Sequence, residues 1–127
     1  MDGEPLGAFR SARAVLFAHR EDHEAARAAF RWPKLDAFNW ALDHFDRITP
    51  RERLALRVVG DDGVRVDRTF DELSRASNRV ANLLARRGVQ RGDRVLLMLP
   101  NRVELWEAML ACIKVGARSE ERRVGKE

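Results

Sequence analysis

The chain has 127 residues, a net charge of +4, 45% hydrophobic and 35% charged residues, and a single cysteine. That length gives room for one domain with a real core and excludes two ordinary ones. The lone Cys112 excludes an internal disulfide, and no run of about 18 apolar residues proposes a membrane span. Nearly all the positive charge is arginine, since Lys34, Lys114 and Lys126 are the only lysines. These arginines alternate with Asp and Glu instead of forming a block, so a nucleic-acid partner is not expected. The N-terminus shows neither the apolar core nor the small-residue cleavage site of a secretory leader, so a cytoplasmic location is the expectation.

Residues 1–10 carry Gly3, Pro5 and Gly7 and are expected to be loose. The run "SARAVLFAHREDHEAARAAF", from about Ser11 to Phe30, is rich in alanine and charge without Pro or Gly, and predicts one helix. Trp32-Pro33 ends it, because a residue before proline is pushed out of the helical region. A short second helix is predicted in "DAFNWALDHFDRI", where Phe38, Leu42 and Phe45 fall at helical spacing with Trp40 beside them; Thr49-Pro50 closes it.

Two β-branched runs then flank Gly60-Asp61-Asp62-Gly63, which signals a hairpin. In "TFDELSRASNRVANLLARRG", Thr69 and Glu72 have the spacing of a capping box: the hydroxyl accepts from the Glu72 amide and the carboxylate from the Thr69 amide. Leu73, Ala76, Ser77, Val80 and Leu84 give the helix behind it one buried face, ending at about Arg87 before Gly88. "VLLML" in "RGDRVLLMLPN" is continuous rather than alternating, as in a parallel strand covered on both faces. Asn101, three residues before Glu104, is expected to cap the next helix. Trp106, Met109, Leu110 and Ile113 make that helix's stripe, broadened by Val103, Leu105 and Cys112. Helix, strand, helix is a βαβ rhythm. A second buried strand is due after Gly116, but seven of the last ten residues are charged, so none is expected there. On composition, residues 118–127 should touch no core and be removable without loss of stability.

Visible chemistry is sparse. His19 and His23 lie one turn apart in "HREDH", but Asp22 stands where a zinc motif of this kind needs Glu, and a third ligand is not evident. Cys112 among apolar neighbours reads as a buried structural thiol. Arg91-Gly92-Asp93 reads as a turn entering a strand. Phe30, Trp32, Phe38, Trp40 and Phe45 read as core before ligand platform. Neither phosphate-binding glycine motif occurs. Catalytic, cofactor-binding and metal residues are therefore all assigned as none.

"FRWP…FNWALDHFDRI" followed by "RTFDELSRASNRVANLLARRGVQRGDRVLLMLPNRVELWEAMLACIKVGA" resembles the beginning of an AMP-forming acyl-CoA synthetase of the adenylate-forming superfamily. "TFDEL" resembles the family's first core motif, "GDRVLLMLPN" its first buried strand and "IKVGA" the opening of its second core motif. "FNWALDHFD" is similar to the medium-chain branch. The resemblance runs from about residue 24 to residue 117. It implies an α/β fold: the N-terminal part of the large domain, with a β-hairpin and an incomplete helix-flanked sheet. It further implies a helical extension over 1–30, the domain portion over 31–117 and a non-native charged tail over 118–127. ATP, magnesium and CoA are implied as cofactors and a carboxylic acid as substrate. The family's phosphate loop, ribose-binding acid and mobile lysine lie further on, so a truncated, inactive fragment is expected. An aryl- or amino-acid-adenylating relative and a non-catalytic interaction module remain as alternatives; the acid's chain length and the oligomeric state are not read from this stretch.

Overall fold

The computed structural model describes residues 5–121. Contacts divide the chain into two units, Met1–Phe38 and Asn39–Glu127.

The first unit holds α1 (Pro5–Ala18) and α2 (His23–Ala29). Where one helix over 11–30 was expected, there are two, and the first starts inside the segment expected to be loose. Pro5 opens α1, the position where a fixed φ and a missing N–H do no harm. The break follows from Asp22, whose carboxylate accepts from the Ala25 amide at 2.9 Å and so caps α2. An aspartate that satisfies a backbone donor in a non-helical conformation ends a helix without Gly or Pro. Phe9 stacks on Phe38 with ring centroids 5.1 Å apart.

The second unit begins with an irregular helical segment, a π turn over Trp40–His44 continued by a 3-10 turn over Phe45–Arg47. Asn39 starts it, accepting from the Ala41 and Leu42 amides at 3.1 and 3.2 Å. The hairpin follows, with β1 (Leu54–Val59) antiparallel to β2 (Arg65–Thr69) and Val58 opposite Val66. Its loop closes through Gly60 N–H to the Val64 carbonyl at 2.8 Å, with the Asp62 carboxylate accepting from the Val64 amide. Val66 is half-buried, whereas Val64 lies outside the strand and is exposed.

α3 (Phe70–Arg86) has the capping box that its sequence specifies: Glu72 N–H to Thr69 Oγ1 at 3.2 Å, and Thr69 N–H to Glu72 Oε2 at 2.8 Å. The Phe70 and Asp71 amides donate to the Arg53 and Arg51 carbonyls, so three amides of the first turn have partners. At its other end the Val89 amide reaches the Leu84 carbonyl and the Gly88 amide the Ala85 carbonyl, both at 3.0 Å. This Schellman ending places Gly88 at φ 87°, where a side chain would be strained.

β3 (Arg94–Leu97), α4 (Val103–Val115) and β4 (Arg118–Glu121) form a βαβ unit, with β4 parallel to β3. Three expectations are corrected here. Arg102, not Asn101, occupies the N-cap of α4 and makes no side-chain capping bond. "VLLML" is a strand only as far as Leu97 and is covered on one side: Leu97 is buried while Leu96 and Met98 are about 58% and 60% exposed. A parallel strand does follow Gly116, because ladder hydrogen bonds use the backbone and leave the exposed side chains of Arg118, Ser119 and Glu120 in water. The rest of the charged segment, 122–127, lies outside the described residues. Gly116 turns the chain into β4 at φ 73°, and a Cβ there would meet Arg91 Cγ at 3.0 Å.

The core lies where the 40–47 segment, the inner hairpin face, α3 and α4 converge: Ala41, Phe45, Leu73, Val103 and Leu110 are buried together, with Leu56, Val58, Val66 and Phe70 packed against them. Ala76, Ser77 and Ala81 on α3, and Ala111 and Cys112 on α4, are also buried. Small side chains on both helices permit close approach. Ser77 donates to the Ser74 carbonyl at 3.0 Å, so its burial leaves no donor unmet.

Two outcomes follow. Thr69→Ala should lower stability by about 0.5–2 kcal/mol, read as a lower urea midpoint at constant slope. Deleting 118–127 should lower the melting temperature, because β3 then loses its backbone partner; an unchanged value would show that the β3–β4 ladder contributes nothing.

Candidate functional site

The residues that sequence chemistry singles out fall in both units. His19 lies in the turn between the first two helices, and His23 opens the second, exposed and 3.4 Å from Glu24. Among the described residues there is no group of three or more His, Cys, Asp or Glu side chains placed to hold a metal. Cys112 is 1% exposed, and burial pushes its thiol pKa up, as a structural thiol requires. Arg91-Gly92-Asp93 is a turn: the Asp93 carboxylate accepts from the Gln90 amide at 2.8 Å, and the Gly92 amide donates to the Gly116 carbonyl at 2.9 Å. The aromatic residues divide. Phe45 is buried against Phe70 and Trp40, with centroids 5.3 and 5.6 Å away, whereas Trp32 is 87% exposed beside Phe30.

What the second unit builds instead is a polar knot that sequence reasoning missed. Lys114, near the end of α4, has a side chain only 3% exposed. Its ammonium donates to Asp46 at 2.9 Å, to Asn78 Oδ1 at 2.7 Å and to the Ser74 carbonyl at 3.3 Å. Those acceptors come from the 40–47 segment and from α3. Asn39 repeats the device: while its Oδ1 caps the segment, its Nδ2 donates to the Ile113 carbonyl at 2.7 Å. Arg51 extends the network, reaching the Asp46 carbonyl and placing Nε and Nη2 at 3.0 and 2.9 Å from Asp71 Oδ1. Asp71 also pairs with Arg75 at 2.8 Å. The three donors of Lys114 thus meet three acceptors, which a buried ammonium requires. The one signal in the sequence was Lys114 itself, a lone lysine on an apolar helix.

On the outer hairpin face Arg57 lies opposite Asp67 with both N···O distances 2.7 Å. Its hydrogen bonds hold the Asp67 carboxyl below the usual carboxylate range. A lowered folded-state pKa contributes stability above the unfolded pKa and loses it as pH falls through the folded one; at this exposed site the contribution is small. Between the hairpin and α4, Val58, Val66, Arg68, Arg102, Val103 and Glu104 line a shallow open groove.

The arrangement fixes where α3, α4 and the strands lie. Breaking its centre should be costly. Asp46→Ala should lose about 3–5 kcal/mol in urea denaturation, because Lys114 stays buried beside a missing carboxylate. Asp46→Ala combined with Lys114→Met should lose less than the single change.

Several known proteins are similar to this chain. The AMP-binding enzyme family matches residues 42–119. The acetyl-coenzyme A synthetase of Paraburkholderia phymatum is 34% identical over 91 residues, 69% of this chain and 14% of that protein. The mitochondrial acyl-coenzyme A synthetase ACSM3 of Rattus norvegicus is 30% identical over 116 residues, 85% of this chain and 20% of the relative. Among solved structures, the acyl-CoA synthetase of Brucella canis is similar with a TM-score of 0.60 and 35% identity, over 65% of this chain and 15% of that one. The chain spans about a seventh to a fifth of the length of these relatives. Among the described residues, no helix is long and apolar enough to cross a membrane.

Proposed function

Because this chain belongs to the AMP-binding enzyme family, we propose that it serves as the N-terminal scaffold portion of an AMP-forming acyl-CoA synthetase. In this reading the whole enzyme joins a carboxylic acid to ATP, releasing pyrophosphate, and passes the acyl group from acyl-AMP to CoA. The observation that carries the reading is the coincidence of the family match, 42–119, with the unit built from the 40–47 segment, the hairpin, α3, β3 and α4. The family's name supports nucleotide binding; ATP, magnesium and CoA as cofactors and a cytoplasmic location belong to the same proposal. The acid is proposed to be of medium chain length, on the likeness of "FNWALDHFD" to that branch. The similarity to acetyl-coenzyme A synthetases favours acetate as the second reading.

Within this stretch we assign no catalytic, cofactor-binding or metal residue. Adenylation needs donors fixed around the α-phosphate and a cation to take up developing charge. The groups gathered here face one another: Lys114 is occupied by Asp46, and Arg51 by Asp71. Residues 1–30 as a helical extension and 118–127 as a foreign tail complete the proposal.

The test is ATP–pyrophosphate exchange with magnesium and a series of acids from acetate upward. The 127-residue chain should give no exchange. Residues 1–117 continued with the native downstream sequence should give exchange that depends on the acid. Turnover by the 127-residue chain alone, or none by the longer one, would overturn the proposal.

A further inference from the structure

We propose that the groove between the hairpin and α4 binds a small aliphatic monocarboxylate, gripped by the guanidinium of Arg68. Burial alternates along β2: Arg65 and Asp67 are exposed, whereas Val66 and Arg68 are half-buried. Alternate residues of a strand share a face, so Arg68 points to the same side as Val66, which packs against the core. Val58 lies opposite Val66 in the ladder, and Val103 is the first residue of α4. These three valines and Arg68 line one groove of about 260 Å³.

A guanidinium on the inner face of a hairpin calls for an anion. On the outer face Arg57 has one, with both N···O distances to Asp67 at 2.7 Å. The Arg68 side chain makes a single hydrogen bond, from Nη1 to the neighbouring Asp67 carbonyl at 2.8 Å, and no ion pair among the described residues. The rest of its planar fork of donors is open, and a charge drawn partly out of water without a partner costs free energy. A carboxylate matches that fork with two parallel hydrogen bonds. The lining selects what the carboxylate is attached to. Three valines offer no hydrogen bond to a hydrated anion such as phosphate, but they cover an alkyl tail. The other two lining side chains, Arg102 and Glu104, pair with each other at 3.4 Å. Two guanidiniums and one carboxylate leave one net positive charge in the lining, which suits a single carboxylate group. The volume lies below the ~300–1,000 Å³ of ordinary ligand pockets, so the tail is short. This inference rests on the groove and holds whether or not the whole protein is an acyl-CoA synthetase.

Titration of the isotope-labelled 127-residue chain with hexanoate, followed by NMR, tests it. Saturable shifts are expected at the methyl groups of Val58, Val66 and Val103. Hexan-1-ol, which has the tail without the charge, and inorganic phosphate, which has charge without the tail, should each bind about tenfold more weakly or worse. Arg68→Met keeps the stem and removes the fork, so the dissociation constant for hexanoate should rise about tenfold or more with an unchanged far-UV spectrum. Glu104→Gln removes the carboxylate that competes within the groove and should tighten binding. Absent or unsaturable shifts, hexanol or phosphate binding as tightly as hexanoate, or an affinity indifferent to Arg68→Met would overturn the proposal. So would unchanged or weaker binding to Glu104→Gln. If Arg68→Met fails to fold, Glu104→Gln and the hexanol comparison decide, since one alters an exposed side chain and the other leaves the protein as it is. ATP–pyrophosphate exchange reports on the enzymatic reading separately, so either can fail without the other.

Discussion

A lysine ammonium withdrawn from water must find acceptors, and in this protein that requirement locks the second unit together. Lys114 reaches acceptors 36, 40 and 68 positions away along the chain, at Asn78, Ser74 and Asp46. No acceptor belongs to its own helix, so the bonds form only when α4, α3 and the 40–47 segment have all docked. An ion pair of this kind contributes little net stability compared with well-packed apolar side chains. Its effect is on position, because any displacement of the segment leaves a charge uncompensated in a poor solvent for it. Arg51 ties the same aspartate residue to the first turn of α3 through Asp71, so the hairpin, which starts three residues after Arg51, inherits its place from the knot.

That arrangement is what the proposed scaffold role asks of this stretch. Several of its charged groups are paired with one another: Lys114 with Asp46, Arg51 and Arg75 with Asp71, Arg57 with Asp67. A catalytic site needs the reverse, groups held ready with one valence open to substrate. The same framework includes the cap at Thr69, the buried Leu97 of β3, and the left-handed turn at Gly116 that returns the chain to the sheet.

The sheet shows why charged side chains did not prevent strand formation. Residues 118–121 have a composition unsuited to burial, and burial on both faces is what a central parallel strand ordinarily undergoes. The two-stranded sheet here leaves Leu96 exposed on β3, Met98 exposed just after it, and the side chains of residues 118–120 exposed on β4. With no face to cover them, their charges stay solvated while their backbones pair. The expectation that no strand would follow Gly116 treated side-chain burial as a condition of pairing, and in this sheet it is not one.

What the sequence determined by itself is what three or four neighbouring residues can satisfy among themselves. Thr69 and Glu72 start α3 and Gly88 ends it, because each bond involved spans no more than five positions. The Gly60–Gly63 turn and the family motifs were legible for the same local reason. Asp22, which splits the first helix through the Ala25 amide three positions on, was a local signal too, masked in the sequence by good helix formers on either side. Tertiary structure decided the rest. The π turn at Trp40–His44 owes its form to Asn39, which caps it and grips α4 at Ile113, 74 positions on. Lys114 reads as a surface lysine until Asp46 and Asn78 are brought to it. β4 became a strand because the Gly116 turn delivered its backbone to β3 in register. Each of these last three outcomes depends on a partner far away along the chain.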